Sequence, residues 1–253
     1  MDAVSEDRLD RVQAYYDNLA DRLVAVESRN WHLQSRMALN LETIDRFVRA
    51  REPRVLDVGC GTGFLLEQLA GRGFHGIGVD LSPESVEHAN RRLAEIGAAD
   101  RLTAMVGSAY EPPEGPFDLI ALTDVLEHLE DPRRCLAALR AQLAPDGLLV
   151  ISTPNRRSLP GARRWLAERG VPGIRLHLAP IDQWQTWTDL EGHAASAGHR
   201  RAPGRLRRLG VEITSRPSGA SCARSAARQR RGSSRCSRTS VRAMRSNGPS
   251  GGS

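Results

Sequence analysis

Acidic and histidine side chains are concentrated in the segment DVLEHLEDP, residues 124–132. If a helical turn begins at Asp124, then Glu127 and His128 share its face, because side chains three and four positions apart are neighbours on a helix. His128 could act as a general base on a hydroxyl group, since its ordinary pKa lies near ~6.5. The three side chains could instead bind a divalent cation such as Mg²⁺, which would lower the pKa of that hydroxyl. A third interpretation is a hydrogen-bond network that only fixes the loop.

Three glycines alternate in the segment DVGCGTG, as Gly59, Gly61 and Gly63. Glycine tolerates positive φ angles and lets a ligand approach the backbone, and a helix that follows would offer unpaired N–H groups. Asp80 lies seventeen residues after Gly63, where an acid can bind the two hydroxyls of a ribose. The pattern predicts a nucleoside-binding site. The structural alternatives are a tight turn for the glycines and a helix-capping acid for Asp80.

Short apolar runs alternate with helical patterns between residues 55 and 155, and these elements must position the candidate side chains. The predicted strands are 55–59, 76–80, 102–109, 117–124 and 148–155. Strands joined by helical crossovers form a parallel sheet that is covered on both faces. We therefore predict an α/β fold with a Rossmann-like, doubly wound sheet. Ligands bind such sheets at the carboxyl ends of the strands, where the glycines, Asp80 and the acidic-histidine segment would meet.

Two amphipathic patterns precede the first predicted strand, over residues 5–24 and 33–48. We predict that residues 1–50 form helices that cover an acceptor site, that 51–192 form the cofactor-binding domain, and that 193–253 form a separate basic tail. Tyr15, Tyr16 and Trp31 are interpreted either as part of this cover or as core aromatics.

Four segments occur in a characteristic order: VLDVGCGTG, GIGVDLS, FDLIALTDVLEHLEDP and LAPDGLLVISTPN. This order resembles that of the class I S-adenosylmethionine-dependent methyltransferases, especially the ubiquinone-biosynthesis O-methyltransferase type, over about residues 40–160. The resemblance implies that Asp57 holds the amino end of the cofactor, Asp80 the ribose, and Leu81 the adenine. Ser108 and Ala109 replace an acid that the family often has there. The implied cofactor-binding residues are Asp57, Gly59, Gly61, Gly63, Asp80, Leu81, Ser108, Ala109 and Thr123.

Charge is distributed unevenly along the chain. All 36 basic residues are arginine, and residues 194–253 carry a net charge of +13 against −7 for residues 1–193, which gives +6 in total. The last sixty residues also contain no aromatic side chain, so we expect most of them to be disordered. Within this tail only LGVEIT, residues 209–214, could form a strand, so the sheet would lack a complete pair of final strands. The tail is interpreted as a disordered extension, a basic arm for nucleic acid or the product of a frameshift.

These observations together predict an enzyme that methylates a small-molecule acceptor, most readily on oxygen, with His128 as the catalytic base. The alternatives are a non-catalytic binding protein of the same fold and a nucleic-acid methyltransferase that uses the basic tail, although the acidic body disfavours nucleic acid. The four cysteines form no C-x-x-C pair, which argues against a zinc site. A cytoplasmic location is expected, because no apolar run is long enough for a membrane span and the N-terminus is charged. The sequence predicts no oligomeric state.

Overall fold

A seven-stranded sheet forms the centre of the computed structural model, which describes residues 6–27, 29–154, 165–166, 169, 183–201 and 211–217. The strands lie in the order β3-β2-β1-β4-β5-β7-β6. The first five are parallel, and β7 is antiparallel to both of its neighbours. The strands are β1 (Arg54–Val58), β2 (His75–Asp80), β3 (Leu102–Val106), β4 (Phe117–Thr123), β5 (Leu143–Thr153), β6 (His199–Arg201) and β7 (Val211–Pro217).

Helices precede the sheet and connect its parallel strands, apart from β3 and β4, which a loop joins. The helices are α1 (Glu6–Asp17), α2 (Ala20–Glu27), α3 (Trp31–Phe47), α4 (Phe64–Ala70), α5 (Pro83–Glu95), α6 (Pro132–Gln142) and α7 (Trp187–Ser196). Side chains cap several of them: Ser82 accepts a hydrogen bond from the Ser85 amide at the start of α5, and Asp131 accepts one from the Arg134 amide at the start of α6. In both helices proline follows the cap, where its missing N–H group costs no hydrogen bond. The doubly wound α/β prediction is confirmed.

Apolar side chains cover both faces of the sheet. Successive residues of a strand point to opposite faces, so Val55 of β1 belongs to one core cluster and Leu56 to the other. Helices α3, α4 and α5 pack on the first face and α6 on the second. The chain turns outward in both directions from β1 and β4, and this switch point leaves a crevice at the carboxyl ends of the strands.

The helical pattern predicted over residues 5–24 is interrupted. Helix α1 ends at Asp17 and α2 begins at Ala20. The Asn18 side-chain amide donates a hydrogen bond to the Ala14 carbonyl over 2.7 Å. Asparagine commonly ends a helix in this way, because its side chain competes with the backbone for hydrogen bonds. The third strand also ends at Val106, so Ser108 and Ala109 lie in the loop after it rather than in the strand.

The expectation of incomplete closing strands is corrected by β6 and β7. Strand β7 pairs antiparallel with β5 from Val211 to Ser215, and β6 pairs with β7. Backbone hydrogen bonds along an open edge need no long apolar run, which is why composition gave so little sign of these strands. The boundary predicted at residue 192 falls inside α7, and the compact unit reaches residue 218. The remainder of the predicted tail, 202–210 and 218–253, lies outside the described residues.

No helix in the part of the chain that the structure describes has both the length and the apolar character that a membrane crossing needs.

Candidate functional site

A cavity of about 380 Å³ opens at the carboxyl ends of the parallel strands. This volume lies within the range of small-molecule sites. The cavity brings together most of the residues predicted to bind cofactor or acceptor. Those in its wall are Gly59, Gly61, Asp80, Leu81, Ser108, Ala109, Thr123, Asp124, Glu127 and His128. Asp57 and Gly63 do not line it.

The three glycines of the loop after β1 all have positive φ angles, of 68° at Gly59, 51° at Gly61 and 80° at Gly63. Their surroundings differ. A Cβ atom on Gly59 would overlap the Val125 side chain, and one on Gly63 would lie 2.9 Å from the Cβ of Ala89 in α5. A Cβ on Gly61 would meet nothing within 4 Å. Gly63 therefore serves the packing of α4 on α5, whereas Gly61 leaves open space for a ligand beside the backbone.

Asp80 is fixed at the end of β2 by two backbone amides. Its carboxylate accepts hydrogen bonds from the Gly61 amide over 2.8 Å and from the Ser82 amide over 2.9 Å. Burial raises the pKa of Asp80, and these amides oppose that rise. The carboxylate also lines the cavity. It therefore joins the glycine loop to the start of α5 and can still accept hydrogen bonds from a ligand's hydroxyl groups.

Asp57 is buried behind the glycine loop, with 1% of its surface exposed. Neither of its carboxyl oxygens has a hydrogen-bond partner among the described residues. Burial, with a smaller contribution from the nearby charge of Asp80, raises the pKa of Asp57 to about 8. A buried carboxyl without a partner is costly. This observation fits the role that the resemblance implies, because a cationic amino group bound nearby would stabilise the ionised form.

The helical turn predicted to begin at Asp124 begins two residues later, as a 3₁₀ turn from Leu126 to His128. Asp124 has a left-handed φ of 58°, and its amide donates to the Ser152 carbonyl over 2.8 Å. This hydrogen bond extends the pairing of β4 with β5 by one residue and holds the backbone out of a helical conformation. The Arg36 guanidinium donates to the Asp124 carboxylate over 2.6 Å.

Glu127 and His128 have different surroundings. The buried Glu127 carboxyl accepts a hydrogen bond from the Thr153 hydroxyl over 2.7 Å. Burial and the charge of Asp124 raise its pKa to about 8. His128 places Nε2 3.9 Å from the Glu127 carboxyl, and its ring makes an edge contact with Tyr16 at 5.7 Å between centroids. Among the described residues, no three His, Cys, Asp or Glu side chains form a group that could hold a metal ion.

Arg36 in α3 was not recognised from the sequence. It lines the cavity, pairs with Asp124 and has a buried Nε atom without a hydrogen-bond partner in the described part of the chain. A signal was present, because Arg36 and Asn40 occupy the helix face that also carries Leu33. Polar residues on a face that packs inward often have a specific partner. Tyr16 also lines the cavity, as the interpretation of the N-terminal helices as a cover requires.

The switch-point crevice, the glycine loop and the acid at the end of β2 are features of the doubly wound class of α/β proteins, whose members bind ligands at the carboxyl ends of the strands. The family described as methyltransferase domain matches residues 31–201. The chain belongs to this family.

Curated relatives carry the same name as the family type that the sequence resembles. The chain is 36% identical over 157 residues to the ubiquinone biosynthesis O-methyltransferase of Xylella fastidiosa, covering 58% of this chain and 63% of that one. It is 37% identical over 119 residues to the enzyme of that name from Aromatoleum aromaticum, covering 47% of this chain and 51% of that one. The chain thus spans about half to two thirds of the length of these relatives.

Proteins of similar fold with solved structures have names that indicate different reactions. Magnesium protoporphyrin IX methyltransferase from Synechocystis, with bound SAH, has a TM-score of 0.66 at 19% identity, covering 84% of this chain and all of that chain. The [4+2]-cyclase SpnF has a TM-score of 0.63 at 21% identity, covering 77% of this chain and 74% of that chain. At these identities the likeness establishes the fold alone, because one fold supports many different reactions.

Proposed function

We propose that this protein is an S-adenosylmethionine-dependent methyltransferase that acts on an oxygen of a small-molecule acceptor. The observation that carries the proposal is that Gly61, Asp80 and His128 line one cavity. Membership of the methyltransferase-domain family and the names of the curated relatives support it. The cavity volume is in the range of sites that bind small molecules. A cytoplasmic location remains a prediction.

Five groups of this chain are suited to hold the cofactor. The Asp80 carboxylate accepts hydrogen bonds from hydroxyl groups, and Gly61 leaves space for the ligand beside its backbone. Behind the glycine loop, the unpartnered Asp57 carboxyl would ionise beside a cationic amino group. In the cavity wall, the partly unpartnered Arg36 guanidinium is suited to a carboxylate group. Leu81 adds an apolar surface to the wall. When bound, the cofactor supplies a methyl group already activated by a positive sulfur atom, so the protein mainly has to align the acceptor and exclude water.

His128 is the group we propose as general base. Its imidazole lines the cavity, next to the Tyr16 ring. The neighbouring acids already have protein partners, since Arg36 binds Asp124 and Thr153 binds Glu127. These contacts favour a positioning role for both acids over a divalent cation bound by Asp124, Glu127 and His128. An imidazole nitrogen can take the proton that an acceptor hydroxyl loses on methylation.

Calorimetry with S-adenosylhomocysteine (SAH) tests the cofactor site separately from turnover. We expect the wild-type protein to bind SAH. Among hydroxylated aromatic acceptors screened with labelled cofactor, at least one should be methylated on oxygen. Binding without turnover on any acceptor would instead favour the non-catalytic interpretation, and absence of SAH binding would refute the proposal.

The role of His128 is tested by His128→Ala on the best acceptor from that screen. Removal of a general base should lower kcat by about 10²- to 10⁴-fold while the affinity for SAH stays close to wild type. His75→Ala is the matched control, because His75 lies at the opposite end of β2 from the cavity. Unchanged kcat in His128→Ala would leave only a structural role for this histidine.

A further inference from the structure

Polar contacts between described residues join the N-terminal helices to α5. The Asp17 carboxylate accepts a hydrogen bond from the Ser82 hydroxyl over 2.5 Å. His88 Nε2 lies 3.0 Å from the Asp21 carboxylate. Arg92 donates to the Glu27 carboxylate over 2.5 Å. These contacts form a polar seam along one side of α5, and they hold α1 and α2 against the cofactor-binding domain.

Glu27 differs from the other two acids of the seam because it is buried and has a second partner. Its other carboxylate oxygen accepts a hydrogen bond from the Thr62 hydroxyl. Thr62 is 2% exposed and stands between Gly61 and Gly63 in the cofactor loop. Asp21, by contrast, has an 87% exposed side chain. A charge-assisted hydrogen bond shielded from water is stronger and more directional than an exposed ion pair.

The helices on the far side of this contact form part of the cavity wall. Val12 and Tyr16 of α1, Leu23 of α2 and Leu33 of α3 all line the cavity. Glu27 is the last residue of α2, and its backbone carbonyl accepts a hydrogen bond from the Gln34 side chain of α3 over 2.8 Å. One residue therefore contacts the glycine loop, α5 and α3.

We propose that Glu27 is a positioning residue of the cofactor site, which acts through the Thr62 hydroxyl and couples the glycine loop to the N-terminal helices that cover the cavity. The proposal rests on the proposed function, because it takes the glycine loop to be the cofactor loop. A loop conformation that binds cofactor then favours docking of α1 and α2, and the docked helices favour that loop conformation. Such coupling is reciprocal by thermodynamic necessity.

Thr62→Val removes the hydroxyl and keeps the shape of the side chain, which leaves one oxygen of buried Glu27 without its donor. We expect SAH affinity measured by calorimetry to fall about fivefold or more, as is typical of coupling between two sites. Amide exchange should show that SAH protects residues 6–27 in the wild-type protein and no longer does so in Thr62→Val. Thr62→Ser retains the hydroxyl and should restore both properties.

Glu27→Gln should lower SAH affinity and the protection of 6–27 as Thr62→Val does. The double variant should have about the SAH affinity of the more weakly binding single variant, because both changes break the same contact. Asp21→Asn is the matched control: it alters the exposed contact of the same seam and should leave SAH affinity and the protection of 6–27 unchanged. If Glu27→Gln does not fold, the Thr62 pair of variants still decides the question.

The outcomes separate the two proposals. If the wild-type protein does not bind SAH, the proposed function fails and this inference fails with it. If the wild-type protein binds SAH but Thr62→Val binds it equally well with the same amide protection, only the inference is overturned. Failure of Thr62→Ser to restore affinity, or additive losses in the double variant, would also overturn it.

Discussion

Replacing Asp57 by asparagine should stabilise the ligand-free protein near neutral pH and, in the same protein, weaken the binding of SAH. The buried carboxyl has no hydrogen-bond partner among the described residues, and its pKa is raised from the ordinary 3.8 to about 8. The folded protein therefore keeps this proton at a pH where the unfolded chain has lost it. Asparagine has a similar shape and cannot ionise.

The sign of the effect follows from proton linkage. Between pH 4 and pH 8 unfolding releases the proton of Asp57, so this group's contribution to stability is present at low pH and is lost as the pH rises towards 8. One proton corresponds to roughly 1 kcal/mol or slightly more per pH unit. The free energy of unfolding of Asp57→Asn relative to wild type should therefore increase by about 2–3 kcal/mol from pH 5 to pH 7. The pKa of Glu127 is also raised to about 8, but this residue is present in both proteins, so its contribution cancels in the difference between their free energies of unfolding.

Urea unfolding of both proteins at pH 5, 6 and 7 measures this difference, because the extrapolated free energies are compared at each pH. Asp100→Asn is the matched control: its side chain is 76% exposed, so its effect should not vary with pH. If the difference between Asp57→Asn and wild type is the same at all three pH values, the carboxyl is ionised in the folded protein and the argument from burial is wrong.

Ligand binding supplies a second readout of the same carboxyl. A cationic amino group beside Asp57 favours its ionised form, so SAH binding near pH 7 should release a proton from wild type and not from Asp57→Asn. Calorimetry in two buffers with different ionisation enthalpies measures that release. Equal SAH affinity and equal proton release in the two proteins would place Asp57 away from the amino group.

Three further results are expected. Asp80→Ala should weaken SAH binding in calorimetry by about 1.5–3 kcal/mol, because hydrogen bonds to a charged group are lost; equal affinity would remove Asp80 from the site. EDTA should leave turnover unchanged, because Asp124 and Glu127 already have protein partners; loss of turnover that Mg²⁺ restores would instead establish the cation site. A chain truncated after Ala197 keeps α7 and should unfold at lower temperature than one truncated after Pro217, because the shorter chain lacks β6 and β7. Equal melting temperatures would show that these strands add no stability.

The parallel half of the sheet could be predicted from the sequence because its central strands, β1 and β4, are almost entirely buried. Continuous apolar runs then coincide with the strands, and predicted strand 76–80 differs from β2 by one residue. The glycine loop and Asp80 were predictable for a related reason, because a tight turn that meets a ligand restricts residue types locally. The closing strands gave a weak signal, since β6 has only three residues and β7 joins by backbone hydrogen bonds.

Contacts between distant segments were the other part that sequence reasoning missed. Arg36 meets Asp124 across 88 positions, and Glu27 meets Thr62 across 35. No local pattern encodes such pairs, because each partner alone looks like an ordinary charged or hydroxyl residue of a helix or loop. The turn at Asp124 was predicted wrongly for a similar reason: its conformation is set by the carbonyl of Ser152 in the neighbouring strand.

Strand β7 is synthesised well after its partner β5, and this delay affects folding during translation. Strand β5 is complete at Thr153, but its partner begins only at Val211. At synthesis rates of roughly 5–20 residues per second, the free edge of β5 waits about 3–12 s for that partner. During this time the run LLVIS presents unpaired backbone groups that another nascent chain could bind. Slower translation after residue 153 would therefore lower the yield of native protein through aggregation, without altering any contact of the finished fold.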